Sequence, residues 1–263
     1  LTSLVDCGIS YSTCKILQQA YQANKLRIRN TVMLSDEKEN YEAFLSKKPY
    51  RDDKMHIAGF KVYADGALGS RGAHMLEEYS DQHLHFGYML TPADSMKKIA
   101  EKIFPTGYQL CTHAIGDAAN REVLNIYASV LKQKNDRRWR IEHAQVLNEN
   151  DFHLFGDYNI IPSVQPTHAT SDMYWATDRI GKTRIKNAYA YQKLLQQNGW
   201  LPLGTDFPVE YLNPLYTFYA AVFRIDKKSF PENGFETANA LSRMDALRGM
   251  TIWAAQSVFE ENM

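Results

Sequence analysis

Short apolar, β-branched runs alternate along the chain with longer stretches whose apolar residues recur every three to four positions. The short runs, at 4–6, 26–34, 57–64, 108–113, 139–143, 160–165 and 200–204, predict strands. The longer stretches, at 12–23, 91–103, 117–134, 149–158, 182–198 and 244–261, predict helices between them. Two carry start signals: Thr91-Pro92, and Asp117 ahead of Ala118-Ala119. Strands alternating with helices predict parallel βαβ units. No internal repeat, low-complexity tract or Gly/Ser-rich linker breaks the series, so residues 1–263 read as one domain.

Seven such strands fit a barrel or a doubly wound open sheet, and the polar residues decide between them. Strand after strand ends in a coordinating or hydrogen-bonding group: Asp65, His113, His143, Gln165 and Asp206. In a (β/α)₈ barrel the working residues lie where strands end and βα loops begin. No GxGxxG follows the first strand, which weighs against a dinucleotide-binding sheet. The expected fold is α/β, a TIM-like (β/α)₈ barrel.

Composition narrows the functions. Thirty Lys+Arg offset thirty Asp+Glu, so no net field draws the chain to nucleic acid or to an anionic membrane. No apolar run approaches the roughly 20 residues of a membrane-spanning helix. Aromatics make up 12% of the chain, which excludes disorder. Cys7, Cys14 and Cys111 follow no CxxC spacing, so a disulfide scaffold or thiolate zinc knot is not expected. That usage fits a reducing compartment, and a cytoplasmic location is the reading it favours.

Lys61 stands inside an apolar strand, where an ammonium must lose its proton, find a carboxylate or be modified. His113 and His143 end two successive strands, and Asp206 follows a third. Imidazoles and a carboxylate from separate strand ends form a divalent metal site whose nitrogen and oxygen donors suit zinc. Water bound at an open position of such a site has its pKa lowered to about 7. Asp206 could both ligate the metal and take that proton. Each residue also has a plain structural reading: a satisfied core histidine, a turn-capping Asp206, a Lys61 paired with Glu142. His83 and His85 have the spacing of an HxH pair but lie in a polar connection read as loop, and His56, His74 and His153 are given no role.

Five motifs, at 61–71, 113–119, 140–145, 163–169 and 206–209, come in order across nearly the whole chain. Together they resemble the metal-dependent amidohydrolase superfamily, and most of all amidohydrolase family 3, the branch that includes N-substituted formamide deformylase. The resemblance implies hydrolysis of carbon–nitrogen bonds, amide-like but not peptide, by metal-bound hydroxide. It implies one or two divalent ions, zinc by preference, held by Lys61, His113, His143 and Asp206, with Lys61 as a carbamylated bridging lysine and Asp206 as catalytic proton shuttle. Asp65, Arg71, Asp117, Gln165 and His168 match the motifs as substrate-binding or ligand-supporting residues. The family's first strand ends in an HxH pair, whereas Leu1–Gly8 resembles the second strand, and the accessory β-sandwich has no counterpart. A fragment lacking the first strand is therefore expected, with part of the metal shell missing.

The expected partner is a small amide-like substrate, with no nucleic acid and no membrane; homo-oligomerisation stays open. Two alternatives accompany the hydrolase: a non-catalytic or truncated barrel that binds a small molecule or partner, and a metal-dependent esterase or phosphoesterase, since the same nucleophile attacks all these centres.

Overall fold

The computed structural model describes residues 1–262. In chain order, the first half comprises β1 Ser3–Ile9, α1 Tyr11–Gln22, β2 Arg29–Ser35, α2 Lys38–Phe44, β3 Met55–Tyr63, α3 Ala93–Ile103, β4 Gln109–Ala114, α4 Asp117–Leu131 and β5 Arg140–His143. The second half comprises α5 His153–Tyr158, β6 Ile161–Ser163, α6 Pro166–Asp172, α7 Ala176–Arg184, α8 Tyr191–Asn198, α9 Pro214–Phe223, α10 Arg243–Met250 and α11 Ile252–Gln256. The six strands form one sheet in the order β1-β2-β3-β4-β5-β6, every neighbouring pair parallel.

The inner strands β3, β4 and β5 are buried on both faces because both faces are covered, whereas β1 at the sheet's edge is only partly buried. Every residue of β3 except Tyr63 is buried. On β4, Thr112 faces outward, its hydroxyl 2.8 Å from that of Tyr127 on α4. Alternation then turns Cys111 and His113 to the inner face. The pairing Lys61↔Cys111↔Arg140 sets one inner row, and Tyr63↔His113↔Glu142 sets the row above it. The Arg140 guanidinium lies 3.9 Å from the Cys7 sulfur of β1, four strands away, so the sheet is curled. Gly59 permits the close β3–β4 approach, since a Cβ there would collide with the Gln109 carbonyl.

The seventh expected strand is reduced to a single parallel bridge, Val164↔Leu203. Pro202 has no N–H to donate to a ladder, and the Leu203 N–H is taken by the Gly249 carbonyl at 3.0 Å. Among the described residues the sheet therefore has six strands, not seven. The predicted helix at 182–198 is split. Tyr189 leaves the helical path with φ 50°, its N–H bonded to the Gln145 carbonyl at 2.7 Å, and α8 begins only at Tyr191. The helix predicted at 244–261 breaks at Thr251 and ends at Gln256. The sequence pattern passed over α2, α6 and α9. The loop reading of His83 and His85 agrees with the structure.

The chain segment after α11 closes the end of the sheet where strands begin. Gln109 donates to the Ser257 carbonyl at 2.9 Å, Thr31 donates to Glu260 at 3.0 Å, and Arg138 pairs with Glu261 at 2.8 Å. The opposite end, where strands finish, is left to the loops that carry the candidate site.

Candidate metal centre

His143, His168 and Asp206 each present a ligand atom within 4.8 Å of the others. They come from the end of β5, from α6, and from the loop after the Leu203 bridge. Strand alternation alone would send His143 away from the inner face that Glu142 occupies. Its φ of 76°, followed by 41° at Ala144, twists the backbone there; Asp206 has φ 58°. Left-handed backbone at non-glycine residues costs free energy and gathers at functional sites.

The His143 ring lies 5.8 Å from the His168 ring and 4.6 Å from the His113 ring. The Tyr63 ring is 5.4 Å from His113, and the Lys61 ammonium is 5.0 Å from the Tyr63 ring. Of the four expected ligands, only His143 and Asp206 share this group, with His168 in place of the others; His113 adjoins through its ring contact with His143, and Lys61 stands beyond it against Tyr63. Lys61 does not form the ion pair with Glu142 that was its structural alternative; Glu142 is paired with Arg140 at 2.8 Å.

Burial sets the charge state. It pushes His113 down to about 3, assisted by the Lys61 charge, and His168 to about 4. His143 is also held well below the ordinary histidine range, by burial and then by His113 and Lys61. All three rings are therefore neutral at pH 7 and offer lone pairs. Burial raises Asp206 to about 6 against the opposing pull of Lys61.

These groups fit a divalent cation on structural grounds. The Nε2 atoms of His113 and His168 are buried without a hydrogen-bond partner, although buried polar atoms in folded proteins nearly always have one. Their carboxylate neighbours, Asp65 and Asp206, stand 3.6 Å away, beyond hydrogen-bonding distance. His143 Nδ1 is 2.8 Å from Gln165 Oε1, and the Gln165 amide nitrogen in turn donates to the Ser163 carbonyl. That arrangement puts the His143 proton on Nδ1 and leaves Nε2 as a free acceptor, the usual way a ligating histidine is oriented.

The other motif residues stand around this group. Asp65 is fully buried, and its carboxylate accepts N–H bonds from His74, Ile115 and Gly116, which ties the loops after β3 and β4 together beside His113. Burial lifts it to about 7 against those three bonds. Asp117, at the start of α4, accepts from the Leu76 N–H at 2.8 Å. The Arg71 guanidinium is engaged by Asp81, which Arg179 also holds. Gln165 acts on a ligand candidate through the His143 bond. Tyr63, half-exposed, packs beside His113, two residues after Lys61 on one strand face.

The amidohydrolase family profile matches residues 3–263. The chain belongs to the amidohydrolase family. This amidohydrolase chain is 36% identical over 218 residues to the protein LONG AFTER FAR-RED 3 of Arabidopsis thaliana, which covers 82% of the chain and 37% of that protein. Two uncharacterized metal-dependent hydrolases of known structure share its fold over the full chain. The one from Pyrococcus furiosus has a TM-score of 0.88 at 26% identity, and the one from Pyrococcus horikoshii OT3 has 0.89 at 25%. The amidohydrolase chain spans 53% of each of those two chains, so it corresponds to about half of its solved relatives or less. No helix among its described residues is long and apolar enough to cross a membrane.

Proposed function

We propose that the chain carries the metal centre of a hydrolase that cleaves amide-like carbon–nitrogen bonds in small molecules, on a barrel of the (β/α)₈ type. The observation that carries this reading is the meeting of three neutral imidazoles and Asp206 at the strand ends, with two buried ring nitrogens lacking partners. His143, His168 and Asp206 would hold the ion, zinc by its donor set, with His113 and Lys61 adjoining as the place for a second. A divalent cation there would supply Lewis-acid polarisation of a carbonyl and water of lowered pKa.

The chain's own residues do the rest. Asp206, lifted by burial to about 6, can take a proton from the attacking water and return it to the leaving nitrogen. Gln165 keeps the His143 lone pair facing the site. Asp65 holds the two loops around His113 in register. Lys61 brings positive charge to a floor already occupied by the Arg140–Glu142 pair; carbamylation, in which CO₂ adds to the free amine with loss of a proton, would turn that charge negative and add an oxygen ligand.

Metal analysis of the zinc-supplemented, dialysed protein, paired with a panel of N-acyl amines and matched esters and phosphoesters, tests the reading. Retained zinc that is lost in His143→Ala, together with amide turnover, is the expected result. A protein that retains no zinc is a binding scaffold, and one that turns over only esters or phosphoesters refutes carbon–nitrogen specificity.

A further inference from the structure

α6 is too short to hold itself in place. A seven-residue helix is marginal on its own in water, so its position is set by what surrounds it. That position bears on the candidate site, because α6 carries His168 against His143 with the two rings stacked at 5.8 Å.

One neighbouring segment, 189–191, reaches both ends of the helix. At the start of α6 the Tyr191 hydroxyl donates to the Gln165 carbonyl at 3.1 Å. The His168 N–H donates to that same carbonyl at 3.1 Å, and the Gln165 side chain meets the His143 ring at 2.8 Å. Gln165 is thus the joint between the two imidazoles, and Tyr191 fixes it from behind. At the other end the Tyr189 hydroxyl donates at 2.7 Å to Asp172, the last residue of α6. The Gln145 amide donates to that hydroxyl at 3.0 Å, and the Tyr189 N–H returns to the Gln145 carbonyl at 2.7 Å. Gln145 lies two residues after His143, so this end too is referred to the backbone that carries His143. Ser171 also bonds Glu210 at 2.6 Å, but at an exposed position where water competes for both groups.

The holding segment is itself fixed. Tyr189 and Tyr191 are buried, and Tyr189 takes left-handed backbone, φ 50°, at a cost in free energy for a residue other than glycine. Arg224, wholly buried at the end of α9, donates to the Tyr189 carbonyl at 3.2 Å and to the Phe235 carbonyl at 2.8 Å, and lies 5.1 Å from the Tyr191 ring. Burial of a guanidinium carries a desolvation cost, and here its bonds go to the backbone of the segment that grips α6.

We propose that Tyr189 and Tyr191 are positioning residues, a pair of hydroxyls that clamps α6 at both ends and so sets His168 opposite His143. The consequence for a bound ion rests on the function proposed above; the clamp itself does not. Both hydroxyls act through α6 and not on the ion.

Tyr189→Phe and Tyr191→Phe each keep the ring and remove one hydroxyl. Tyr108→Phe is the control, because Tyr108 is also buried and its hydroxyl also donates to backbone carbonyls, those of Phe44 and Lys48, beside the start of β4. In the metal-free protein, hydrogen exchange read by mass spectrometry should be about fivefold faster across α6 in both clamp variants and unchanged there in the control. Zinc affinity, read by competition with a chelating indicator, should fall about tenfold in each clamp variant and hold in the control. Unchanged exchange across α6 in both clamp variants, or equal acceleration in the control, overturns the clamp whether or not metal binds. Faster exchange with unaltered zinc affinity overturns the positioning of His168. Absence of zinc from the unsubstituted protein refutes the metal reading alone, and the exchange comparison then decides the clamp.

Discussion

The two ends of the sheet use similar residue types to opposite effect. At the end where strands begin, the charged and amide groups around Arg138 and Gln109 tie the last segment of the chain to the sheet. Arg138 pairs with Asp136 and Glu261 and also reaches the Gln256 carbonyl, while Gln109 serves the carbonyls of both Arg138 and Ser257. At the end where strands finish, ring nitrogens of His113 and His168 stay unpaired, and His143 and Asp206 hold left-handed backbone. Unpartnered buried atoms and left-handed backbone occur at both ends, with His56 Nδ1, Gln109 Oε1 and Arg138 at the first, but only at the second do such groups converge as a set of possible metal ligands. Substitutions at the two ends should therefore separate activity from folding.

The sharpest break is expected at Asp206. Asp206→Asn keeps the shape but removes the base, so turnover should fall by about 10³-fold or more with little change in the melting temperature, the side chain being over a third exposed. Steady-state kinetics and thermal unfolding on one preparation would check both halves. Near-normal turnover would place the proton transfer elsewhere.

The converse is expected at Arg138. Removing its guanidinium strands Glu261 and leaves the Gln256 carbonyl short of a donor. Arg138→Ala should cost about 3 kcal/mol of unfolding free energy, measured by urea denaturation, with zinc content unchanged. A fall in bound zinc matching the fall in stability would mean that the two ends are not independent.

How far this division was legible in the sequence differs between the ends. Lys61 and His113 could be assigned to the inner face because alternation on an apolar strand forces it. His143 could not be oriented from its neighbours: alternation from Glu142 turns it outward, and only the φ reversal at 143 and 144 brings it to the site. His168 follows a strand end and so reads as a substrate contact; α6, a seven-residue helix opened by a proline directly after Gln165, is too short to show a period that would turn the ring toward His143. Asp65 carries a motif signature, yet its bonds go to three backbone N–H groups that no side-chain pattern encodes. The bracing at 257–261 was invisible for a related reason. It runs through carbonyls and carboxylates of an irregular segment, and the periodic reading drew a continuous helix there.

Acid should expose the same contrast more gently. His56, at the start of β3, is lowered to about 4 by burial and then by the Arg51 charge. A depressed histidine contributes stability that is complete above pH 6.5 and is lost as pH falls toward 4. His56→Leu should reduce the loss of unfolding free energy between pH 7 and pH 4.5 by about 2 kcal/mol. Zinc should leave that increment untouched and alter only the acid sensitivity contributed by the imidazoles at the other end. An increment that varies with zinc would refute the separation.

The smallest effect is expected at Arg71, where an arginine–carboxylate pair like that of Arg138 occurs on the rim. Arg71 bonds Asp81 at 3.0 and 2.9 Å, but both side chains are partly exposed, and Arg179 also holds Asp81. Exposed pairs contribute little, and here a second arginine remains on the same carboxylate. Arg71→Ala should leave the melting temperature nearly unchanged. Its KM decides what the residue is for. An arginine that contacts substrate would raise KM on removal, whereas one that only joins the loop after β3 to α7 would leave KM where it was. The bidentate engagement of Asp81 leaves the guanidinium little capacity for a substrate, so the expected outcome is an unchanged KM.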